Sequence, residues 1–127
     1  MPHFTIEYSA NLDGAVDMPA FCEEIRRAAL STGAFETGAV RVRAIRCRDY
    51  AIADGDPLNS FIDVSLRIGA GRDLPTKKHI GDRVFAAMQV FLAPLFAGKH
   101  FAVSFEVREI DPELSYKQNS IHERLRK

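Results

Sequence analysis

The chain is poor in cysteine and carries no excess of charge of either sign. Cys22 and Cys47 are the only thiols among 127 residues. They do not form a CxxC pair, and a chain of this size does not need a disulfide to fold, so both read as reduced core thiols. Lys+Arg and Asp+Glu are each 17, for a formal net charge of zero. That balance argues against a general nucleic-acid binder, whose footprint is usually basic, though it leaves room for a local basic patch. The four histidines, His3, His79, His100 and His122, are scattered and show no HxxxH spacing. A metal site is therefore not expected. No stretch reads as long and apolar enough to span a membrane. The start of the chain lacks the charged-then-apolar pattern of a signal peptide. The expectation is a cytoplasmic protein with neither membrane nor nucleic acid as a partner.

What the chain does have is enough apolar residues for a core, 46%, in a length that suits one domain over residues 1–127. It also repeats itself. In the first half, about residues 2–48, Phe4, Ile6 and Tyr8 alternate as on a strand. A turn-rich loop over residues 11–17 ends in Asp17, a candidate N-cap, and Pro19 falls in the first helical turn. Phe21, Ile25, Ala28 and Ala29 make a helical stripe, and Gly33 suits a helix end. Residues 39–48 then read as a strand, with Val40, Val42 and Ala44 on one side and Arg41 and Arg43 on the other.

The second half, about residues 60–110, follows the same plan. Ile62, Val64, Leu66 and Ile68 alternate, Gly69-Ala70-Gly71-Arg72 forms a loop, Asp73 matches Asp17 and Pro75 matches Pro19. Ile80, Val84, Ala87, Met88 and Phe91 mark a longer helix that Pro94 should end or kink. Phe101, Val103, Phe105 and Val107 mark the last strand. Residues 49–59 link the halves, with turn signals at Asp54-Gly55 and Asp56-Pro57. Two tandem β-α-β units predict an α/β (α+β) fold: parallel pairing within each unit, and one four-stranded sheet with both helices on one face. The other face, with Thr5, Glu7, Arg41, Arg43, Asp63, Ser65, Arg67, Ser104, Glu106 and Arg108, suits water or a subunit interface equally. In the tail, residues 111–127, Ile121 and Leu125 sit at helical spacing. A short helix docked on a neighbour and a frayed end are both open readings.

Pro2 directly follows Met1 and opens the first strand. Alone, Met-Pro is simply a permitted start. If Met1 is removed, however, Pro2 becomes a terminal secondary amine. An α-amino group titrates at about 7.7–8.0, and a dry pocket with cations nearby would lower that. The result would be a rigid base at neutral pH. If Met1 stays, the Pro2 nitrogen is a non-basic amide. Gly69-Ala70-Gly71 lacks the residues of a phosphate loop and reads as a tight turn.

A terminal proline opening two β-α-β units resembles the tautomerase superfamily. The segments Met1-Pro2-His3-Phe4, Thr32-Gly33-Ala34-Phe35, Gly38-Ala39-Val40-Arg41-Val42-Arg43 and Ala53-Asp54-Gly55 narrow the likeness. Together with Leu66-Arg67-Ile68-Gly69-Ala70-Gly71-Arg72 and Tyr116-Lys117-Gln118-Asn119-Ser120-Ile121-His122 they resemble the 5-carboxymethyl-2-hydroxymuconate isomerase family. The resemblance implies a homotrimer built around a central barrel, with sites near subunit boundaries and no cofactor. It implies proton transfer along a 2-hydroxydienoate carrying three carboxylates, giving the 2-oxo-3-ene tautomer, in homoprotocatechuate (4-hydroxyphenylacetate) breakdown. It casts Pro2 as the general base, and Arg41 and Arg72 as the guanidiniums that hold carboxylate and enol oxygen. Arg43 and Phe35 are further substrate-binding candidates. On alternation alone Arg41 and Arg43 also suit a solvated strand face, Arg43 with Glu7 or Glu106 as a partner, and Phe35 suits the core more than a pocket wall. Lys117 and Asn119 match the family tail without an assigned role: subunit docking or a pocket rim. Two other functions remain open: a phenylpyruvate-type keto–enol tautomerase using the same Pro2, and a non-enzymatic trimeric binding protein.

Overall fold

The computed structural model describes residues 1–126. Strands β1 (His3–Ser9), β2 (Arg41–Cys47), β3 (Ser60–Gly69) and β4 (Phe101–Ile110) form one sheet in the order β2-β1-β3-β4. β1 and β2 run parallel, as do β3 and β4, and the halves meet through antiparallel pairing of β1 with β3. The crossovers are α1 (Met18–Ser31) and α2 (Leu74–Leu92), and a third helix, α3 (Ser120–Leu125), lies near the chain end.

The helix starts follow from the residues that precede them. Asp17 accepts a hydrogen bond from the Ala20 N–H, and Asp73 accepts one from the Thr76 N–H. Each side chain satisfies a backbone donor that the helix itself leaves unpaired. Pro19 and Pro75 occupy the first turn, where the absent N–H costs nothing. α2 stops at Leu92, and Pro94 sits in the 3-10 turn Ala93–Ala97 that follows.

One sheet face and the two helical stripes make the core. Phe4, Ile6, Ile62, Val64, Leu66 and Ile68 from the strands pack with Phe21, Ile25, Ile80, Val84 and Met88 from the helices. All are buried. The opposite face is polar: Thr5 lies between Arg43 and Ser65, and Ser104 donates to Asp63 at 2.6 Å.

Four expectations need correction. β2 begins at Arg41 rather than at residue 39, because Thr37–Ala39 turn as a 3-10 helix. Cys22 packs against the core, where burial pushes its thiol up, but Cys47 ends β2 outside it; both are free. Leu74–Ala97 is, by length and composition, apolar enough to cross a membrane. Here Ile80, Val84, Met88 and Leu92 are buried against the sheet, as in the core helix of a globular fold. Finally, α3 does form, and it docks on its own chain.

The topology gathers one end of every strand. His3 starts β1 beside Arg41, which starts β2, and beside Arg67 on β3. Gly69 ends β3 beside Ile110, which ends β4. The chain start, the loop holding Arg72 and the tail after β4 therefore leave the sheet at the same edge.

Candidate active site

Pro2 is buried, and its carbonyl accepts from the Arg41 N–H at 3.2 Å. This bond continues the β1–β2 ladder by one residue and holds the chain start against β2. The Arg41 guanidinium then turns back toward the terminus. Its Nη1 donates to the Ala39 carbonyl at 3.0 Å and to the Met1 Sδ at 3.3 Å. A thioether is a weak acceptor, so the second of these contacts is readily exchanged for a carboxylate.

Arg72 is fixed more firmly. Its Nη1 donates to the Gly69 carbonyl at 3.3 Å and its Nη2 to the Ala34 carbonyl at 3.2 Å. The guanidinium carbon lies 5.1 Å from the Phe35 ring centroid. The tight turn with Gly71 at φ +114° brings Arg72 back over the end of β3. Cation–π contact and two backbone acceptors set the plane of the fork before any ligand arrives. Phe35 packs against the core and supports Arg72 rather than lining the cavity.

A cavity of about 260 Å³ opens at this edge, lined by Met1, His3, Arg41, Ile110 and residues 115–118. A larger one, of about 450 Å³, lies between α2 and β4 with Phe85, Phe105 and Val107 in its wall. The larger cavity contains neither the chain start nor either of the expected arginines, and the ion pair of Lys77 with Glu109 sits in its lining. The smaller one holds Met1 and Arg41.

The amine of Met1 is held below its ordinary value, first by burial and then by the positive fields of Lys117, Arg72 and Arg41. Three cations from three separate elements thus act on one amine. His3 is also lowered, by burial first and then by Arg67, Arg43 and Arg41. This favours a neutral imidazole, able to accept as well as donate.

The structure therefore joins Pro2 to Arg41 through the backbone and puts Arg41 in the cavity lining, while Arg72 stands on the loop at the same end of the sheet, and neither it nor Pro2 is in that lining. It does not add Arg43 to the cavity lining. Arg43 is exposed on the open face and reaches His3 Nδ1 at 3.5 Å, not Glu7 or Glu106; Glu106 pairs with Arg108. Sequence reasoning missed His3 and left Lys117 without a role. The adjacency of His3 to Pro2 was the available signal. Among the described residues no cluster of three His, Cys, Asp or Glu side chains is placed to hold a metal ion.

Comparison with known proteins matches residues 2–125 to the family model described as 5-carboxymethyl-2-hydroxymuconate isomerase. The chain is 32% identical over 122 residues to the 5-carboxymethyl-2-hydroxymuconate Delta-isomerase of Escherichia coli, covering 96% of this chain and 97% of that protein. The crystal structure of a 5-carboxymethyl-2-hydroxymuconate isomerase from Deinococcus radiodurans R1 superposes with a TM-score of 0.92 at 36% identity, over 99% of this chain and 95% of that one. A more distant structure, described as a fused 4-OT wild type symmetric trimer, shares the fold at TM-score 0.68 and 16% identity, over 91% and 93% of the two chains.

Proposed function

The chain belongs to the 5-carboxymethyl-2-hydroxymuconate isomerase family, a tautomerase-type isomerase family, and from that premise we propose that Pro2, freed by removal of Met1, is its general base. The proposed substrate is 5-carboxymethyl-2-hydroxymuconate, as in homoprotocatechuate breakdown. Membership in an isomerase family sets aside a purely binding role.

The neutral prolyl amine takes the proton of the 2-hydroxyl group. The oxygen lone pair then closes to a ketone, the double bonds shift along the chain, and the far carbon of the diene takes the proton back from the prolinium. One proton leaves oxygen and one arrives at carbon, so no oxidant or co-reactant enters. Arg41 and Arg72 bind carboxylate and stabilise charge developing on the enol oxygen. Loss of Met1 would uncover the amine and release the Arg41 donor that now rests on the Met1 sulfur.

The observation that carries this reading is the buried Pro2 bonded to Arg41, with Arg41 and Lys117 lining one cavity at the chain start. The sign of its pH effect follows. An amine base works when neutral, so activity is present above its pKa and is lost as pH falls through it. Because a buried position and a neighbouring guanidinium both disfavour a charged amine, the acid limb of kcat/KM should lie below the ordinary amine range of about 7.7–8.0. The test is an ultraviolet assay of processed protein, confirmed by intact mass, from acid to alkaline pH. Loss of dienol absorbance faster for 5-carboxymethyl-2-hydroxymuconate than for the enol of phenylpyruvate supports the assignment. The reverse preference would assign the second chemistry instead.

The homotrimer belongs to the same proposal. β2 and β4 are edge strands, and Ile45, Leu114 and Tyr116 are exposed large apolar residues at 49%, 75% and 91%. Uncovered edges and apolar patches favour association. Light scattering should return the mass of three chains; a stable monomer would contradict it.

A further inference from the structure

After β4 the chain turns back across the sheet edge and is fastened there by its last described helix. Asn119 caps α3, accepting from the Ile121 and His122 N–H groups, and its own Nδ2 donates to the Gly38 carbonyl at 2.9 Å. Gly38 is buried beneath the helix. A Cβ there would meet the His122 backbone N and Nδ1 at 3.0 Å and its Cα at 3.1 Å. Arg126 closes the far end with a two-point contact to Glu36, at 2.8 and 2.9 Å. The segment before this anchor carries Lys117 into the lining of the cavity that holds Met1, His3 and Arg41.

We propose that the tail is a specificity strap: the Asn119–Gly38 latch holds Lys117 at the cavity so that its ammonium binds a carboxylate remote from the reacting enol. Arg72 has two of its donors on backbone carbonyls, and Arg41 lies at the terminus beside the base. A diene acid with charge at both ends needs a further cation, and the tail provides one. A flexible ammonium suits this task, since the remote group needs charge rather than a two-point fork. Lys117 is thus a substrate-binding residue, and Asn119 and Gly38 are positioning residues. The inference rests on the isomerase reading for its substrate class, but its ligand test does not require turnover.

The probes are cis,cis-muconate, with a carboxylate at each end of a six-carbon diene, and sorbate, the same chain with one. Calorimetric titration of processed wild type should give tighter binding of muconate. Lys117→Met should weaken muconate by about tenfold to a hundredfold, the range of a charge-assisted hydrogen bond, and leave sorbate nearly unchanged. Lys117→Arg should retain most of the preference. Gly38→Ala should reproduce a weaker form of the same loss by lifting the latch, and the double variant should be no worse than Lys117→Met. Equal loss for both probes, no loss, or no binding of muconate to wild type overturns the strap. Wild type that binds muconate selectively but does not convert the dienol would sink the isomerase reading and leave the strap standing.

Discussion

A preparation in which residue 1 remains attached to Pro2 should turn over the dienol at least about 10²–10⁴-fold more slowly than the processed chain, the usual worth of a placed general base. The reason is the nitrogen's hybridisation. As an amide its lone pair is delocalised into the carbonyl, so it cannot take the hydroxyl proton. The fold should not change, because the first strand starts at His3 and the Pro2 carbonyl keeps its bond to the Arg41 N–H in either form. Unchanged circular dichroism and thermal midpoint with collapsed kcat is the expected pattern. Equal activity of the two forms, separated by mass, would remove Pro2 from the mechanism. Pro2→Ala is a gentler probe. It keeps an amine if residue 1 is cleaved, but that amine is primary and less rigidly held.

The second large effect concerns the arginines, and the structure makes the two differ. Arg41→Gln and Arg72→Gln should each lower kcat/KM by about 10²–10³-fold, as when a preorganised donor to a developing oxyanion is removed. Lysine should restore little at either position, since a point charge cannot span two oxygens. Stability should separate them. Arg72 donates to the Ala34 and Gly69 carbonyls and stacks on Phe35, so its loss leaves two acceptors without these donors and costs roughly 1 kcal/mol or more. Arg41 gives one bond to Ala39 and one weak contact to sulfur, so its removal should barely move the melting temperature. Paired kinetics and thermal melts of the two variants check both halves. Full activity in either would place that guanidinium outside the site.

Much of this was legible before the fold was known, for identifiable reasons. Asp17 with Pro19 and Asp73 with Pro75 announce two helix starts through local chemistry. The alternation of Phe4 with Ile6, and of Ile62 with Val64 and Leu66, announces strands with one buried face. These signals act within a few residues, so a single chain displays them. The antiparallel meeting of β1 and β3 has no such local marker; it arises when the two halves share one core. Arg41 and Arg72 were picked out by resemblance, but nothing in their spacing showed that Phe35 would carry Arg72 or that Met1 would occupy an Arg41 donor.

The tail was the least readable part. Ser115 to Gln118 look like any solvated polar run, and Lys117 looks like any surface lysine. Its place depends on Asn119 meeting Gly38 across 81 residues, a contact that no local pattern encodes. Gly38 is where a side chain would obstruct His122, which the structure shows and a glycine in the sequence does not. It lies within a segment that resembles the family, but the resemblance did not say what passes over it.

The most direct test of the central claim is the titration of the Pro2 nitrogen itself. Processed protein carrying ¹⁵N-proline, followed by nitrogen chemical shift against pH, reports the protonation of that amine alone. The account predicts a single midpoint below the ordinary range of about 7.7–8.0, coinciding with the acid limb of kcat/KM. A midpoint within or above that range, or one unrelated to the activity limb, would contradict Pro2 as a base poised by its buried place beside Arg41.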